Sequence, residues 1–215
     1  MRIVRYQAAD RSVQFGCRTS DGRVVRAEGV SLTHLAPTDD TVEPEHLLAP
    51  VHTLTIFCVG ANYADHASEG GIEPPKQPIL FMKPTTAVTH PGSPVRIPAA
   101  CERGPEVDYE CELAVVIGKT GRDIPVHSAL DHVFGYTCAN DISARKWQKH
   151  GGGGQWVRGK SFDTFCPLGP ILLTADELPD PQTLSIRTLL NGEVMQEANT
   201  SQMIFSVAEL IAFIS

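Results

Sequence analysis

The chain has no run of apolar residues long enough to cross a bilayer, and its N-terminus, Met1-Arg2-Ile3-Val4-Arg5-Tyr6, lacks a signal-peptide core. Neither a membrane partner nor export is expected. Basic residues are in the minority. The 18 Lys and Arg stand against 25 Asp and Glu, a net charge of −7, which argues against nucleic acid as the main partner. Paired cysteines are missing as well: Cys17, Cys58, Cys101, Cys111, Cys138 and Cys166 are widely spread with no C-x-x-C, so neither a zinc site nor a disulfide framework is indicated. Cys58, Cys111 and Cys138 lie in apolar runs and are expected to be buried thiols, and a reducing cytoplasm fits this usage. The glycine run 151–154 lacks the G-K-[ST] ending of a phosphate loop and reads as a flexible connector.

What is present is the composition of an ordinary globular protein, 215 residues of which 42% are hydrophobic and 20% charged. Residues 2–7, 12–18 and 23–28 read as short strands, with Ser20-Asp21-Gly22 as a tight turn. Pro37, Pro44 and Pro50 then interrupt the pattern, because proline excludes helix interiors and central strands. This predicts a small N-terminal β module with its linker over residues 1–50 and a larger α+β domain over 51–215.

The stretch from Val107 to Gly118, V-D-Y-E-C-E-L-A-V-V-I-G, carries the strongest chemical signal. In a strand, Glu110 and Glu112 share a face with Ala114 and Val116, about 7 Å apart, close enough to repel if partly buried. A hard cation between them would resolve the conflict, although an E-x-E pair by itself is more often two solvated glutamates. Downstream, a helix beginning at Asp141 would align Asp141, Arg145 and Gln148 on one face; the plain reading of Asp141 is a helix N-cap. Upstream, His66 and Glu69 are three residues apart on a short predicted helix. They form either a base with its orienting carboxylate or a surface pair. Lys83 ends a short apolar strand and could snorkel to solvent, Lys160 sits among aromatics and glycines where it could meet an anion, and Arg158 reads as structural. Asn191-Gly192 predicts a type I′ hairpin, and Ile204 to Ile214 a final helix.

Together, G-A-N-Y-A-D-H-A-S-E (60–69), I-L-F-M-K-P (79–84), the E-x-E strand, A-N-D-I-S-A-R-K-W-Q (139–148), Q-W-V-R-G-K-S-F-D (155–163) and N-G-E-V-M-Q (191–196) with M-I-F-S (203–206) resemble the fumarylacetoacetate hydrolase family. The resemblance covers about residues 54–215. It implies a β-rich mixed-sheet roll around a divalent metal, Mg²⁺ or Mn²⁺ (Ca²⁺ possible in crystals), on Glu110, Glu112 and Asp141. It also implies that His66 and Glu69 activate water on a lid, that Lys160 stabilises developing charge, and that Arg145, Gln148 and Lys83 contact the substrate. The implied activity is cleavage of a C–C bond in a 2,4-dioxo acid of acylpyruvate or fumarylpyruvate type through a metal-stabilised enolate. Decarboxylation or isomerisation of oxaloacetate-like or 2-hydroxy-dienoic dioates is the alternative, and a non-catalytic metal-binding relative a further one. A homodimer is implied too. Family members continue into strands with a T-G-T-P segment that this sequence does not contain, so the main sheet is expected to have an exposed edge.

Overall fold

Alternating apolar residues near the N-terminus form the strands their pattern predicts. β1 (Arg2–Gln7), β2 (Val13–Arg18) and β3 (Val24–Glu28) run antiparallel, Ile3 opposite Cys17 and Phe15 opposite Ala27. The computed structural model in which they are seen describes residues 1–52, 55–64, 73–101, 106–151 and 153–215. The proline-bearing stretch read as a linker forms β4 (Ala36–Val42) and β5 (His46–Leu48) instead. β4 closes the sheet on one side, and an edge strand accepts Pro37 because one side of its backbone has no ladder to serve.

β6 (Ile56–Gly60) and β7 (Ile79–Lys83) make a separate antiparallel ribbon with Cys58 opposite Phe81, followed by the short β8 (Val88–Thr89). The single strand expected from Val107 to Gly118 is broken. Its first part, β9 (Val107–Asp108), is separated from β10 (Cys111–Ile117) by Tyr109 and Glu110; β10 pairs with β11 (Val133–Asn140), whereas β9 pairs with β12 (Ser143–Ala144). The same pairing corrects the helix expected from Asp141. Ser143 and Ala144 are drawn into β12, so α1 (Arg145–His150) begins only after them, with Ala144 at its N-cap. The one-turn α2 (Val157–Lys160) follows, then β13 (Cys166–Pro167), parallel to β8, and β14 (Leu172–Thr174). The hairpin of β15 (Ser185–Leu190) and β16 (Glu193–Asn199) turns at Asn191 (φ 53°) and Gly192 (φ 89°), the left-handed pair that a type I′ turn requires. A capping box of Ser206 and Glu209 opens α3 (Val207–Ile214).

The main sheet runs β10-β11-β14-β1-β2-β3-β4, with β5 also on β1. One edge of β1 is shared, Arg2 and Ile3 facing β14 and Arg5 to Gln7 facing β5. The core is likewise shared: Ile3, Cys17, Leu35 and Val51 pack with Leu168 and Leu172, and Ala114, Val116 and Phe134 lie against them. The small separate N-terminal domain expected up to residue 50 is therefore not a separate unit, since hydrogen bonds and core both cross that boundary. Where β11 meets β14, Gly135 allows a close approach; a Cβ there would lie 2.4 Å from the Leu173 carbonyl oxygen.

All six cysteines are free. The buried ones are Cys17, Cys101 and Cys166, whereas Cys58 and Cys111 are half-buried and Cys138 is exposed. An apolar run sets neither which strand face a residue takes nor whether that face is covered. Among the described residues no helix is long and apolar enough to cross a membrane.

Candidate active site

The site forms where the chain leaves β10 and β11 at the same level. Cys111 stands opposite Asn140, so their neighbours Glu110 and Asp141 meet just beyond the ladder. The Asp141 N–H donates to the Glu110 carbonyl (2.8 Å) and the Glu110 N–H donates to Asn140 Oδ1 (3.1 Å). Lys160, at the end of α2, donates to both carboxylates: its Nζ lies 2.7 Å from Glu110 Oε2 and 2.7 Å from Asp141 Oδ2. The lysine is only 2% exposed.

Lys83 sits beneath this pair, and the expectation that it reaches solvent or substrate is corrected. In β7, Leu80 and Met82 point outward, so Phe81 and Lys83 point inward, and Lys83 too is 2% exposed. Its Nζ lies 2.6 Å from Asp141 Oδ1 and donates to the carbonyls of Ile142 (3.2 Å), Phe165 (2.8 Å) and Lys160. An ammonium with three N–H donors has none left for a ligand. Lys83 thus ties the backbone of Lys160 to the carboxylate that Lys160 contacts.

Glu112 lies on the β10 face that carries Ala114 and Val116 into the core, which explains its burial. It makes no hydrogen bond or ion pair among the described residues. Burial, with repulsion from Glu110 and Asp141, pushes its carboxyl up to about 8. Burial acts on Glu110 in the same direction, but Lys160 and Arg145 outweigh it and hold that carboxyl below its usual range. Two acids in one strand region are thereby driven apart. Between the ordinary value of 4.5 and about 8, the folded protein keeps a Glu112 proton that the unfolded chain has released, so stability falls as pH rises through that window. Denaturant unfolding in chelator at several pH values is expected to give this slope and Glu112→Gln to flatten it. An unchanged slope in E112Q would assign the effect to another group.

Arg145 and Gln148 come together as their spacing on one helix face predicts, the guanidinium donating to Gln148 Oε1 (3.0 Å) and to Glu110. It also donates twice to Asp108, at 2.8 and 3.0 Å. Sequence reasoning missed Asp108, yet D-Y-E-C-E already places acids at 108, 110 and 112, one strand step apart. The Tyr63 hydroxyl was missed as well. It is buried with no hydrogen bond among the described residues, and burial together with the nearby Glu112 charge pushes it up. Arg158 stacks on Trp147 (4.8 Å) and Phe162 (4.3 Å), away from the carboxylates. His66 and Glu69 lie outside the described residues.

A divalent ion suits these donors. Three hard carboxylates lie within reach of one another's charge, and Glu112 forms no ion pair among the described residues, Lys160 acting on it only at a distance. Among the described residues, however, no three acidic, His or Cys side chains form a ready cage. Lys160 and Arg145 hold Glu110 and Asp141 instead.

The family model for the fumarylacetoacetate (FAA) hydrolase C-terminal region matches residues 55–215. The chain belongs to the fumarylacetoacetate hydrolase family. It is 50% identical over 170 residues to the mitochondrial oxaloacetate tautomerase of Xenopus laevis, covering 79% of this chain and 52% of that relative. The chain thus spans about half the length of the curated relatives it matches. Among solved structures it resembles the 5-carboxymethyl-2-hydroxymuconate delta-isomerase of Mycobacterium smegmatis, with TM-score 0.85, 36% identity and coverage of 100% of this chain and 82% of that one. The 2-hydroxyhepta-2,4-diene-1,7-dioate isomerase of Mycobacterium marinum gives TM-score 0.83 and 35% identity, with coverage of 100% and 81%. Family members are enzymes, and these three are named as a tautomerase and two isomerases.

Proposed function

We propose that the chain catalyses enol–keto tautomerisation or double-bond isomerisation of an oxaloacetate-like or 2-hydroxy-dienoic dioate, in place of the C–C hydrolysis that the family resemblance put first. The observation that carries this reading is the buried Lys160 ammonium held against Glu110 and Asp141. The names of the similar proteins support it. Tautomerisation relocates one proton and shifts two electron pairs: a C3–H bond breaks and its electrons form C2=C3, while the C2=O π pair moves onto the oxygen, which takes up a proton. No water is consumed.

Lys160 supplies a fixed positive charge and a proton beside the oxygen on which negative charge grows, in a site with little water to screen it. Among the described residues the Gln148 amide N–H groups and one Arg145 guanidinium N–H make no hydrogen bond, and in this reading they serve a terminal carboxylate of the dioate. A Mg²⁺ or Mn²⁺ ion held by Glu110, Glu112 and Asp141 would supply Lewis-acid polarisation of the oxo group. In this reading His66 with Glu69 acts as base on carbon, where hydrolysis would need it as base on water. Six free thiols suit a reducing compartment, the cytoplasm in our reading, whereas the Xenopus relative is named as mitochondrial.

Following the enol absorbance of oxaloacetate and of 2-hydroxy-dienedioates, with acylpyruvate cleavage measured in parallel under Mg²⁺, tests the assignment. Enol turnover well above the uncatalysed rate is expected. A larger kcat/KM on an acylpyruvate would restore the hydrolase, and Mn²⁺ binding without turnover on any of these acids would leave a metal-binding relative.

A further inference from the structure

Gln196 grips the chain on both sides of Glu110. Its Oε1 accepts from the Cys111 N–H (3.0 Å) and from the Thr188 hydroxyl (2.8 Å), while its Nε2 donates to the Tyr109 carbonyl (3.5 Å). Tyr109 and Cys111 flank Glu110 at the step between β9 and β10, where the regular ladder is interrupted. The same two peptides are tied on their other side, the Glu110 N–H donating to Asn140 Oδ1 and the Glu110 carbonyl accepting from the Asp141 N–H. Thr188 and Gln196 are register partners across the β15–β16 hairpin and both are half-buried, whereas Leu189, Val194 and Met195 are exposed. The hydroxyl therefore orients the amide, and the hairpin lays this pair against β10.

We infer that Gln196 is a positioning residue that fixes where the Glu110 carboxylate enters the site it shares with Glu112 and Asp141. The inference rests on the proposed function only for its chemical consequence. A stepped backbone without ladder bonds has freedom to shift, and a shift of about 1 Å at an acting group is enough to cost activity. The amide supplies in one side chain the acceptor and donor that a neighbouring strand would otherwise provide.

The test compares Gln196→Met, Gln196→Glu and Thr188→Val by amide exchange of the metal-free protein and by calorimetric titration with Mn²⁺. In Q196M the Cys111 amide is expected to exchange at least about tenfold faster while amides within the β10–β11 ladder keep their protection. Mn²⁺ affinity is expected to fall about 10- to 100-fold, the usual loss when a partner holding a ligand is removed. Q196E still offers an oxygen to the Cys111 N–H and should keep that amide protected, a rescue that packing alone would not produce. Unchanged Cys111 exchange in Q196M, or Mn²⁺ affinity within about twofold of wild type, overturns the inference. If Q196M does not fold, T188V carries the same test: faster Cys111 exchange with weaker Mn²⁺ binding supports the inference, and wild-type behaviour in both overturns it. A wild-type protein that binds no Mn²⁺ defeats the metal reading alone, and exchange at Cys111 then decides the positioning role.

Discussion

Lys160→Met is expected to lower kcat on an oxaloacetate enol by about 10²- to 10³-fold, the scale seen when one donor to a developing oxyanion is removed. Methionine keeps the length of the stem and removes the charge. The effect is large because Lys160 is 2% exposed and is the ammonium that Glu110 and Asp141 share, 2.7 Å from each. Lys160→Arg is not expected to rescue, since a planar guanidinium cannot replace a compact ammonium between two carboxylates. Steady-state kinetics check this, with circular dichroism confirming that the variant is folded. Retention of more than about a tenth of wild-type kcat in K160M would remove Lys160 from the chemistry.

The largest effect on stability is expected at Lys83. Lys83→Met takes a donor from the carbonyls of Ile142, Lys160 and Phe165, of which Phe165 keeps the Ile142 N–H, and removes one of the two cations facing Asp141. Breaking a buried pair by deleting one partner is destabilising by about 3–5 kcal/mol. For a chain of this size that corresponds to a drop of about 10 °C in Tm. The cause can be separated from packing by a cycle with Asp141→Asn, because K83M/D141N should lose less than the sum of the two single variants. A K83M protein melting within a degree or two of wild type would show that the ammonium is not holding the site together. In the proposed reaction the two lysines divide the work: Lys160 would act on the ligand, while Lys83 holds the backbone of Lys160 and the Asp141 carboxylate.

Much of the site was legible in residue order. The alternation around Glu110 and Glu112, the Asp141-to-Gln148 motif and the lysine of R-G-K (158–160) each pointed to one cluster, and the short apolar strand ending at Lys83 forms where the sequence puts it. The Asn191-Gly192 turn was legible because its backbone geometry is set by two residues alone. The direction of Lys83 was not. Whether a lysine at the end of an apolar strand reaches water or turns inward depends on which ribbon face is covered, and that is fixed by Ile142, Phe165 and Lys160, between 59 and 82 residues away.

The sequence by itself determined the family and the β-rich architecture and singled out the acids at 110, 112 and 141, because each is written in short-range patterns of side-chain type and period. Tertiary structure alone decided that the N-terminal strands extend the same sheet, that the chain steps at Tyr109 and Glu110, and that Glu112 is left without a partner among the described residues. The physical reason is common to all three. Pairing, burial and repulsion are set by groups distant in the chain, and no local pattern records which of them will meet.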